Sequence, residues 1–371
     1  QSVSSQGETL WAADGVPVCT AAGTQLALQG VSDGAGGAIL VWIDLRDGEA
    51  DIYAQRIDPD GNLMWPVGSP SVDGVPVCDT AELQTWINVV SDGSGGAIVT
   101  WEHGSTPNDI RAQRLNADGE LQWGSGNGVV VTDADGVQIW SRIVPDGVGG
   151  AILVWTDGRN NPTTSFDIYA QRIDASGATQ WAGDLPVCTL TQAQTYPAIA
   201  ADGLGGAFMA WFDNEEIWAQ HVSSSGVPQW AANGIVINDS SLDSQHTLRG
   251  VGSGEGSAVF VWQDLRDYAT TGRDLYAQWL ETGGPVWTSG GVVISQASGD
   301  QRDPAVACPR DGSVVIAWVD GRSGVTTPDI YALEILDGST FNGPADGLAV
   351  CTADYGQWKP VVGTSGLGDP V

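Results

Sequence analysis

Short runs of four to eight apolar or alternating residues follow one another along the whole chain, separated by Asp-Gly and Gly-Gly pairs. The first of these runs are 26–32, 38–43, Asp51–Ile57 and a last one from about Trp65 through Val75–Cys78. They are rich in Val, Ile, Trp and Tyr, which favours strands joined by hairpins. No segment of useful length has the spacing of a helix. The pattern predicts an all-β protein made of four-stranded antiparallel sheets.

This four-strand unit recurs along the chain, and each copy is marked by a glutamine followed 17 residues later by a tryptophan. The pairs are Gln25 and Trp42, Gln84 and Trp101, Gln138 and Trp155, Gln194 and Trp211, Gln245 and Trp262, and Gln301 and Trp318. A further glutamine, Gln357, begins another copy, and the mean period is about 55 residues. A period of this length is typical of propellers and solenoids.

The repeats predict one domain over residues 1–371, a seven-bladed β-propeller of four-stranded antiparallel blades. Blades 1 to 6 are expected at 25–83, 84–137, 138–193, 194–244, 245–300 and 301–356. Blade 7 is expected to be split, with its start at 357–371 and its end at 1–24. The split blade lacks a counterpart of residues 99–112. We therefore expect the natural chain to continue past Val371, the alternative being that another segment or another subunit fills the gap.

The segment 36–61, GGAILVWIDLRDGEADIYAQRIDPDG, resembles the repeat of large secreted or surface-anchored bacterial propeller proteins, many of which carry C-terminal sorting domains. The resemblance covers essentially the whole chain. It implies a propeller fold and an extracellular or cell-surface location. It implies no particular reaction.

The chain is strongly acidic, with 45 acidic and 14 basic residues and a net charge of −31. Such a surface repels nucleic acid and anionic lipid, so neither is predicted as a partner. No apolar run approaches the roughly 20 residues that cross a bilayer, so no membrane insertion is predicted. The charge, together with a chain that begins at Gln1 instead of methionine, favours a secreted or surface-attached protein.

Residues that recur in every copy are interpreted as structural. The repeated tryptophans are expected in the core, and the Asp-x-Arg pairs that follow the second strand, such as Asp44 with Arg46, are expected to form ion pairs. The turn at 58–61, DPDG, is similar to the start of a calcium loop but lacks the acidic ligands that would follow. No metal site and no cofactor is therefore predicted, with calcium as the weaker alternative.

Side chains that do not recur cluster just after the blade glutamines and form the candidate ligand site. The aromatic members are Trp86, Trp140, Tyr196 and Trp358, and the polar members are His246, Arg302 and Asp303. We expect them at one mouth of the propeller channel, where aromatic platforms beside polar groups suit sugars or exposed peptide side chains. The alternative is that they only plug the channel.

The main functional prediction is a non-catalytic binding or adhesion module that recognises a glycan or a surface protein at this mouth. One alternative is a structural subunit that self-associates through its open seventh blade into a filament or layer. Another is a glycan hydrolase or lyase, with Asp303 paired to Asp264 or Asp320. No catalytic residue is assigned, because the sequence has three histidines without metal-ligand spacing and no nucleophile or phosphate-binding motif.

Overall fold

Every regular element in the described part of the chain is a β-strand. The computed structural model describes residues 1–4, 8–68, 71–105, 108–124, 126–238, 247–309, 312–338 and 340–363. No helix in these ranges is long and apolar enough to cross a membrane. The strands form six antiparallel sheets, each a blade-like meander in which neighbours in sequence are neighbours in the sheet. The prediction of an all-β protein with four-stranded sheets is confirmed.

The first three sheets have four strands each. They are β1 Gln25–Ser32, β2 Ala38–Asp44, β3 Asp51–Ile57 and β4 Val75–Cys78; β5 Gln84–Ser91, β6 Ala97–His103, β7 Asp109–Leu115 and β8 Val129–Thr132; and β9 Gln138–Pro145, β10 Ala151–Asp157, β11 Asp167–Ile173 and β12 Leu185–Cys188. The boundaries of β1, β2 and β3 agree with the runs predicted from the sequence to within a residue, whereas β4 covers only the end of the fourth run. The side chains on the second strand of each sheet are almost all buried.

The next three sheets repeat the meander, two of them with a short additional strand on the third strand. They are β13 Gln194–Ala201, β14 Ala207–Asp213, β15 Glu216–Val222 and β16 Ile235–Val236; β17 Leu248–Gly254, β18 Ser257–Asp264, β19 Asp274–Glu281, β20 Gly284–Pro285 and β21 Val292–Ser295; and β22 Gln301–Ala307, β23 Val314–Asp320, β24 Asp329–Ile335, β25 Phe341–Asn342 and β26 Leu348–Cys351.

The described chain divides into two compact units. Unit 1 comprises 1–162 and 169–185, and unit 2 comprises 163–168 and 186–371. In unit 1, the tryptophan that precedes the fourth strand reaches the next sheet: Trp65 Nε1 donates to the carbonyl of Ala117, at 2.9 Å. In unit 2, Trp230 Nε1 donates to the carbonyl of Thr282 in the same way, at 2.9 Å. These bonds join residues one repeat apart and tie consecutive sheets together.

The constant spacing from glutamine to tryptophan is explained by a β-bulge in the first hairpin, which is present in the five sheets whose blade glutamine is described. In the first sheet, Gln25 pairs with Asp44, and residues 27 and 28 together lie opposite Trp42. The same two-against-one arrangement recurs opposite Trp101, Trp155, Trp211 and Trp318. A bulge increases local twist and redirects the side chain it carries. The repeated tryptophans are at most 3% exposed, so each closes the core beneath a bulge.

A glycine allows the fourth strand to pass directly over this tryptophan. Gly74, which precedes β4, has φ of 74°, and a Cβ placed there would lie 2.6 Å from Cη2 of Trp42. Gly291 is placed in the same way against Trp262. Only a residue without a side chain fits the backbone so close to an indole ring. This contact explains the glycine before the last apolar run of the repeat.

The predicted Asp-x-Arg ion pairs are present and buried. Arg46 Nη2 lies 2.7 Å from Asp44 Oδ2, and the Asp157–Arg159, Asp264–Arg266 and Asp320–Arg322 pairs have the same 2.7 Å distance. Each of these arginines also stacks on the third-strand tyrosine, as Arg46 does on Tyr53 at 3.7 Å. The pair therefore braces the second strand against the third with both charge and ring contacts.

Replacing Asp274 by asparagine is expected to stabilise the protein above pH 6 and to have little effect near pH 4. Burial raises the pKa of Asp274 to about 6; hydrogen bonds from Thr271 and Gln296 oppose the rise, and the nearby Asp267 and Asp264 add to it. Because the unfolded chain loses this proton at lower pH, stability falls as pH rises toward 6. Urea unfolding at pH 7.5 should show a gain of about 2 kcal/mol. Asp60→Asn, an exposed change of the same charge, is the control, and an equal gain in both variants would contradict the prediction.

The two chain ends each make contacts that belong to a further copy of the repeat. Trp11 Nε1 donates to the carbonyl of Pro59 at 2.8 Å, as Trp65 does one repeat later. Gln357 N donates to the carbonyl of Pro328 at 2.8 Å, as Gln301 N does to that of Arg273. No seventh sheet is present within the described ranges, so the split seventh blade stays a prediction.

Candidate functional site

Residues at one repeat position, two after the blade glutamine, adopt a left-handed backbone conformation although none is a glycine. They are Ala27 (φ 54°), Trp86 (51°), Trp140 (56°), Tyr196 (50°), Asp303 (51°) and Lys359 (57°). This conformation costs a residue with a Cβ roughly 1–2 kcal/mol, and glycine would avoid the cost. The bulge therefore accounts for the backbone, whereas the large and varied side chains on it need a separate explanation.

In unit 1, two of these tryptophans lie on the first strands of neighbouring sheets, β5 and β9. Trp86 is 38% exposed, its Nε1 donates to the carbonyl of Ser141 at 3.2 Å, and the Arg142 guanidinium lies 5.1 Å from its ring centre. Asn88 donates to the same Ser141 carbonyl at 3.1 Å. Trp140, half-buried, precedes Ser141 on β9. We call Trp86, Trp140 and Arg142 the indole group; it presents aromatic surface beside a cation.

A buried carboxyl group holds Trp140 in place. Glu102 Oε1 accepts a hydrogen bond from the Trp140 backbone N–H at 2.7 Å. Burial raises the pKa of Glu102, and hydrogen bonds from Trp140 and Asn108 and the charge of Arg142 oppose the rise. In unit 2, Gln263 occupies the equivalent place and its Oε1 accepts from the backbone N–H of Asp303 at 3.0 Å. The left-handed residue of each site is thus fixed from the preceding sheet.

In unit 2, a cleft of about 530 Å³ opens beside Asp303. Its lining residues are Arg249, Gly250, Asp303, Pro304, Ala305, Val306, Lys359, Pro360, Val361 and Val362. The Arg249 side chain is exposed. The protein that packs around it lowers the pKa of its guanidinium, and the charge of Asp303 opposes this change. The lining therefore combines one carboxylate with two cations. Arg249, Asp303 and Lys359 come from three consecutive copies of the repeat, each shortly after the blade glutamine.

Next to this cleft, Arg302 and Trp358 form a cation–π pair with 5.2 Å between the guanidinium carbon and the ring centre. Trp358 is 50% exposed. Two guanidinium nitrogens of Arg302, Nε and Nη2, are buried and have no hydrogen-bond partner within the described residues. Unsatisfied buried donors are uncommon and call for a partner such as water or an anionic group.

The structure thus places the predicted site residues in separate local groups. Trp86 and Trp140 are together in unit 1, and Arg302, Asp303 and Trp358 are together in unit 2. Tyr196 is half-buried and packs against the core cluster that contains Phe212. His246 lies outside the described residues. No group of three or more His, Cys, Asp or Glu side chains suited to a metal ion is found in the described ranges.

The predicted carboxylate pairs of Asp303 with Asp264 or Asp320 are wrong. Asp264 and Asp320 have no exposed surface, and each is bound by an arginine, a backbone N–H and a tryptophan Nε1. Because every oxygen of these carboxylates already accepts hydrogen bonds in the core, neither can reach a substrate. Their recurrence in four copies is explained by the Asp-x-Arg brace.

Glu102, Arg142, Arg249 and Gln263 were not singled out from the sequence. A signal for two of them exists, because Glu102 and Gln263 occupy the residue after the repeated tryptophan, where other copies have Ile43, Thr156, Phe212 and Val319. Arg142 and Arg249 share the position four residues after the blade glutamine. An unusual polar side chain at a repeat position would have identified Glu102 and Gln263, whereas Arg142 and Arg249 differ from the polar Gln29 and Asn88 of other copies only by their charge.

Comparison with known proteins assigns no family: no family model matches the chain, and no curated protein matches it. Solved structures do match. The BP39L lectin of Burkholderia pseudomallei is 10% identical, with a TM-score of 0.56 over 88% of this chain and 84% of the lectin. The α-L-arabinanase of Penicillium chrysogenum, complexed with arabinobiose, is 12% identical, with a TM-score of 0.48 over 82% of this chain and 91% of the arabinanase.

A polysaccharide lyase, the ulvan lyase bound to -[GlcA(1-4)Rha3S]-, is 11% identical, with a TM-score of 0.46 over 88% of this chain and 80% of the lyase. At such identities, the likeness to the lectin shows the fold, that of a β-propeller, and nothing about the reaction.

The prediction of a non-catalytic binding or adhesion module is corrected by these comparisons. Arabinanases and polysaccharide lyases stand beside the lectin among the similar structures, and the alternative of a glycan hydrolase or lyase is taken up below as a proposal. The sequence argument failed because aromatic residues beside polar groups are needed both to hold a sugar and to cleave one. Glycan-related structures, the lectin included, are compatible with the predicted glycan partner.

Proposed function

We propose that the protein is a glycan-processing enzyme, a hydrolase or lyase acting on a polysaccharide. The observation that carries the proposal is the set of left-handed, non-glycine residues at one repeat position. The scaffold is constant there, but the side chains are Trp, Tyr, Asp and Lys in different copies. A protein that maintains strained backbone under chemically different side chains has a use for those side chains.

In unit 1, the indole group is proposed to bind a sugar residue of the polymer. An exposed indole face packs against the apolar face of a sugar ring, and the Arg142 guanidinium beside Trp86 offers donors to its hydroxyl groups. The carbonyl of Ser141 accepts from the Trp86 ring nitrogen and is itself held by Asn88, so the ring is oriented before a ligand arrives. Preorganisation of this kind lowers the entropy cost of binding a flexible polymer.

Asp303 supplies the acid–base part. It is exposed in the cleft, its backbone is fixed by Gln263, and it is the one carboxylate among the lining residues. In hydrolysis, such a group transfers a proton to or from the glycosidic oxygen or the attacking water. In elimination, a base removes the proton next to the sugar carboxylate, the C–O bond breaks, and a carbon–carbon double bond forms. Either route requires one positioned proton-transfer group.

A panel of soluble polysaccharides tests the proposal. Hydrolysis releases reducing ends, whereas elimination also produces an unsaturated sugar with strong ultraviolet absorbance. We expect turnover of at least one polymer. Absence of both signals across neutral, acidic and sulfated glycans, with the fold intact by circular dichroism, would contradict the enzyme assignment.

Changing Trp86 and Trp140 together to alanine is expected to lower kcat/KM on the active polymer by about tenfold to a hundredfold, since each ring contact contributes roughly 1 kcal/mol. Trp86→Phe keeps a stacking ring but loses the bond to Ser141, so it should retain most of the activity. Tyr355→Ala, which removes an aromatic ring that is 86% exposed, is the control. Equal activity of wild type and the double variant would sink the role of the indole group.

The finer architecture is also proposed here. We infer a seventh blade that takes its first segment from around Gln357 and its outer segment from around Trp11. The contacts of Trp11 with Pro59 and of Gln357 with Pro328 support it, because each reproduces a contact made in several other copies. Membership in the secreted or surface-anchored bacterial repeat proteins, a single-domain organisation and secretion are part of the same proposal.

A further inference from the structure

We propose that the cleft in unit 2 binds an acidic sugar residue, one that carries a carboxylate or sulfate group. This inference rests on the proposed function and specifies its substrate class. It starts from the distribution of positive charge in a protein with only 14 basic residues and a net charge of −31. In such a protein, a cleft with two cations in its lining is an exception to the general character of the surface.

Most arginines have a structural explanation that is visible in their contacts. Arg46, Arg159, Arg266 and Arg322 brace the second and third strands, Arg56, Arg114 and Arg172 pair with the aspartate of the first hairpin turn, and Arg273 pairs with Asp300. Arg249, Arg302 and Lys359 belong to a different class. They lie within four residues of a blade glutamine; Arg249 and Lys359 line the cleft, and Arg302 directly precedes the lining residue Asp303.

The surroundings of these three cations favour an anionic ligand. Arg249 lines the cleft and its side chain is exposed. Arg302 has two buried nitrogens without a partner in the described ranges and stacks on the half-exposed ring of Trp358. A carboxylate or sulfate oxygen in the cleft makes charge-assisted bonds to the exposed Arg249 and Lys359, and such bonds are about twice as strong as neutral ones. Trp358, which precedes Lys359 in the chain, offers a half-exposed ring to the apolar face of the sugar that carries the charge.

Asp303 cannot neutralise both cations that line the cleft, and it remains the group that faces the sugar. It stands on a left-handed bulge and is one carboxylate among two lining cations, so the cleft keeps an excess of positive charge. Long-range repulsion by the acidic surface opposes a polyanion, but it is screened beyond about 8 Å at physiological ionic strength. Contacts inside the cleft lie within that distance and persist.

The experiment compares polymers that differ only in charge. Equilibrium binding to pectate is measured against fully methyl-esterified pectin, and binding to dextran sulfate against dextran. We expect the acidic member of at least one pair to bind at least about tenfold more tightly. Preference for pectate alone identifies a carboxylate, and preference for dextran sulfate alone identifies a sulfate. Equal affinity within both pairs overturns the inference.

Site variants locate the effect. Arg249→Gln and Lys359→Gln should each weaken binding of the preferred acidic polymer by about tenfold and leave binding of the neutral polymer unchanged. Arg111→Gln removes the same charge from β7, where Arg111 donates to the carbonyl of Asn127, and is the control. Equal losses in all three variants would mean that net charge and not the cleft is responsible, and would contradict the proposal.

Binding and turnover are read separately. Cleavage confined to neutral glycans would leave the enzyme assignment standing and overturn the acidic-sugar inference. Selective binding of an acidic glycan through Arg249 and Lys359, without cleavage of any polymer, would do the opposite.

Discussion

Asp303→Asn is expected to reduce turnover of the active polysaccharide by at least about a hundredfold while leaving its affinity within a fewfold of wild type. Removal of a positioned proton-transfer group typically costs 10²–10⁴ in rate. The amide keeps the size and shape of the carboxyl, and the bond between the residue 303 backbone N–H and Gln263 is unaffected. The measurement is kcat from initial rates of product release, with binding followed independently.

Asp354→Asn, an exposed change of the same charge, is the control for this experiment. A hundredfold loss in both variants would indicate an effect of overall charge. Turnover of Asp303→Asn within about twofold of wild type would remove Asp303 from the chemistry. The proposed enzyme would then need another proton-transfer group.

Arg266→Ala is expected to destabilise the protein by about 3 kcal/mol at pH 7, because it leaves the buried carboxylate of Asp264 without its counter-charge. Asp264 has no exposed surface and accepts two bonds from the Arg266 side chain, at 2.9 and 2.7 Å. The variant also loses the stacking of Arg266 on Tyr276 at 3.8 Å. Urea unfolding followed by tryptophan fluorescence measures the loss.

The pH dependence of this loss checks its cause. Burial alone would raise the pKa of Asp264, but bonds from Arg266 and Trp262 outweigh it and hold the pKa below its usual value. The ionised carboxylate therefore stabilises the native state above the usual pKa, and this stabilisation disappears as pH falls through the lowered value. The deficit of Arg266→Ala should shrink below about pH 4. Combining it with Asp264→Asn should recover part of the stability at pH 7, and a deficit independent of pH would exclude the charge mechanism.

Much of the fold could be predicted from the sequence because each copy of the repeat has the same residues at the same strand positions. The apolar runs gave the strand boundaries of the first sheet nearly to the residue, and the glutamine-to-tryptophan spacing corresponds to a hairpin with a bulge opposite the tryptophan. The bulge itself was not predicted. The period of apolar residues predicts which face of the sheet a side chain occupies. It does not reveal an inserted residue in left-handed conformation when that residue is Trp or Asp, because only a glycine at that position would indicate the conformation.

The candidate site was predicted only in part. Unrepeated residues after the blade glutamine, such as Trp86 and Asp303, were identified because they break the repeat. Asp264 and Asp320 were misassigned as possible catalytic partners although the Asp-x-Arg pattern already predicted ion pairs for them, because the pattern does not show that both carboxylates are buried. Arg249 was missed because its importance comes from the residues of other copies that surround it.

The bulge opposite the repeated tryptophan has an implication for how such a protein changes over evolutionary time. A duplicated copy that keeps the bulge also keeps one position with a strained backbone and a fixed side-chain direction, whichever residue occupies it. In the first copy this position is Ala27, whose side chain is only a methyl group. New specificity can then arise by single substitutions at a handful of equivalent positions, while the sheets beneath, held by their own tryptophans and ion pairs, need no adjustment.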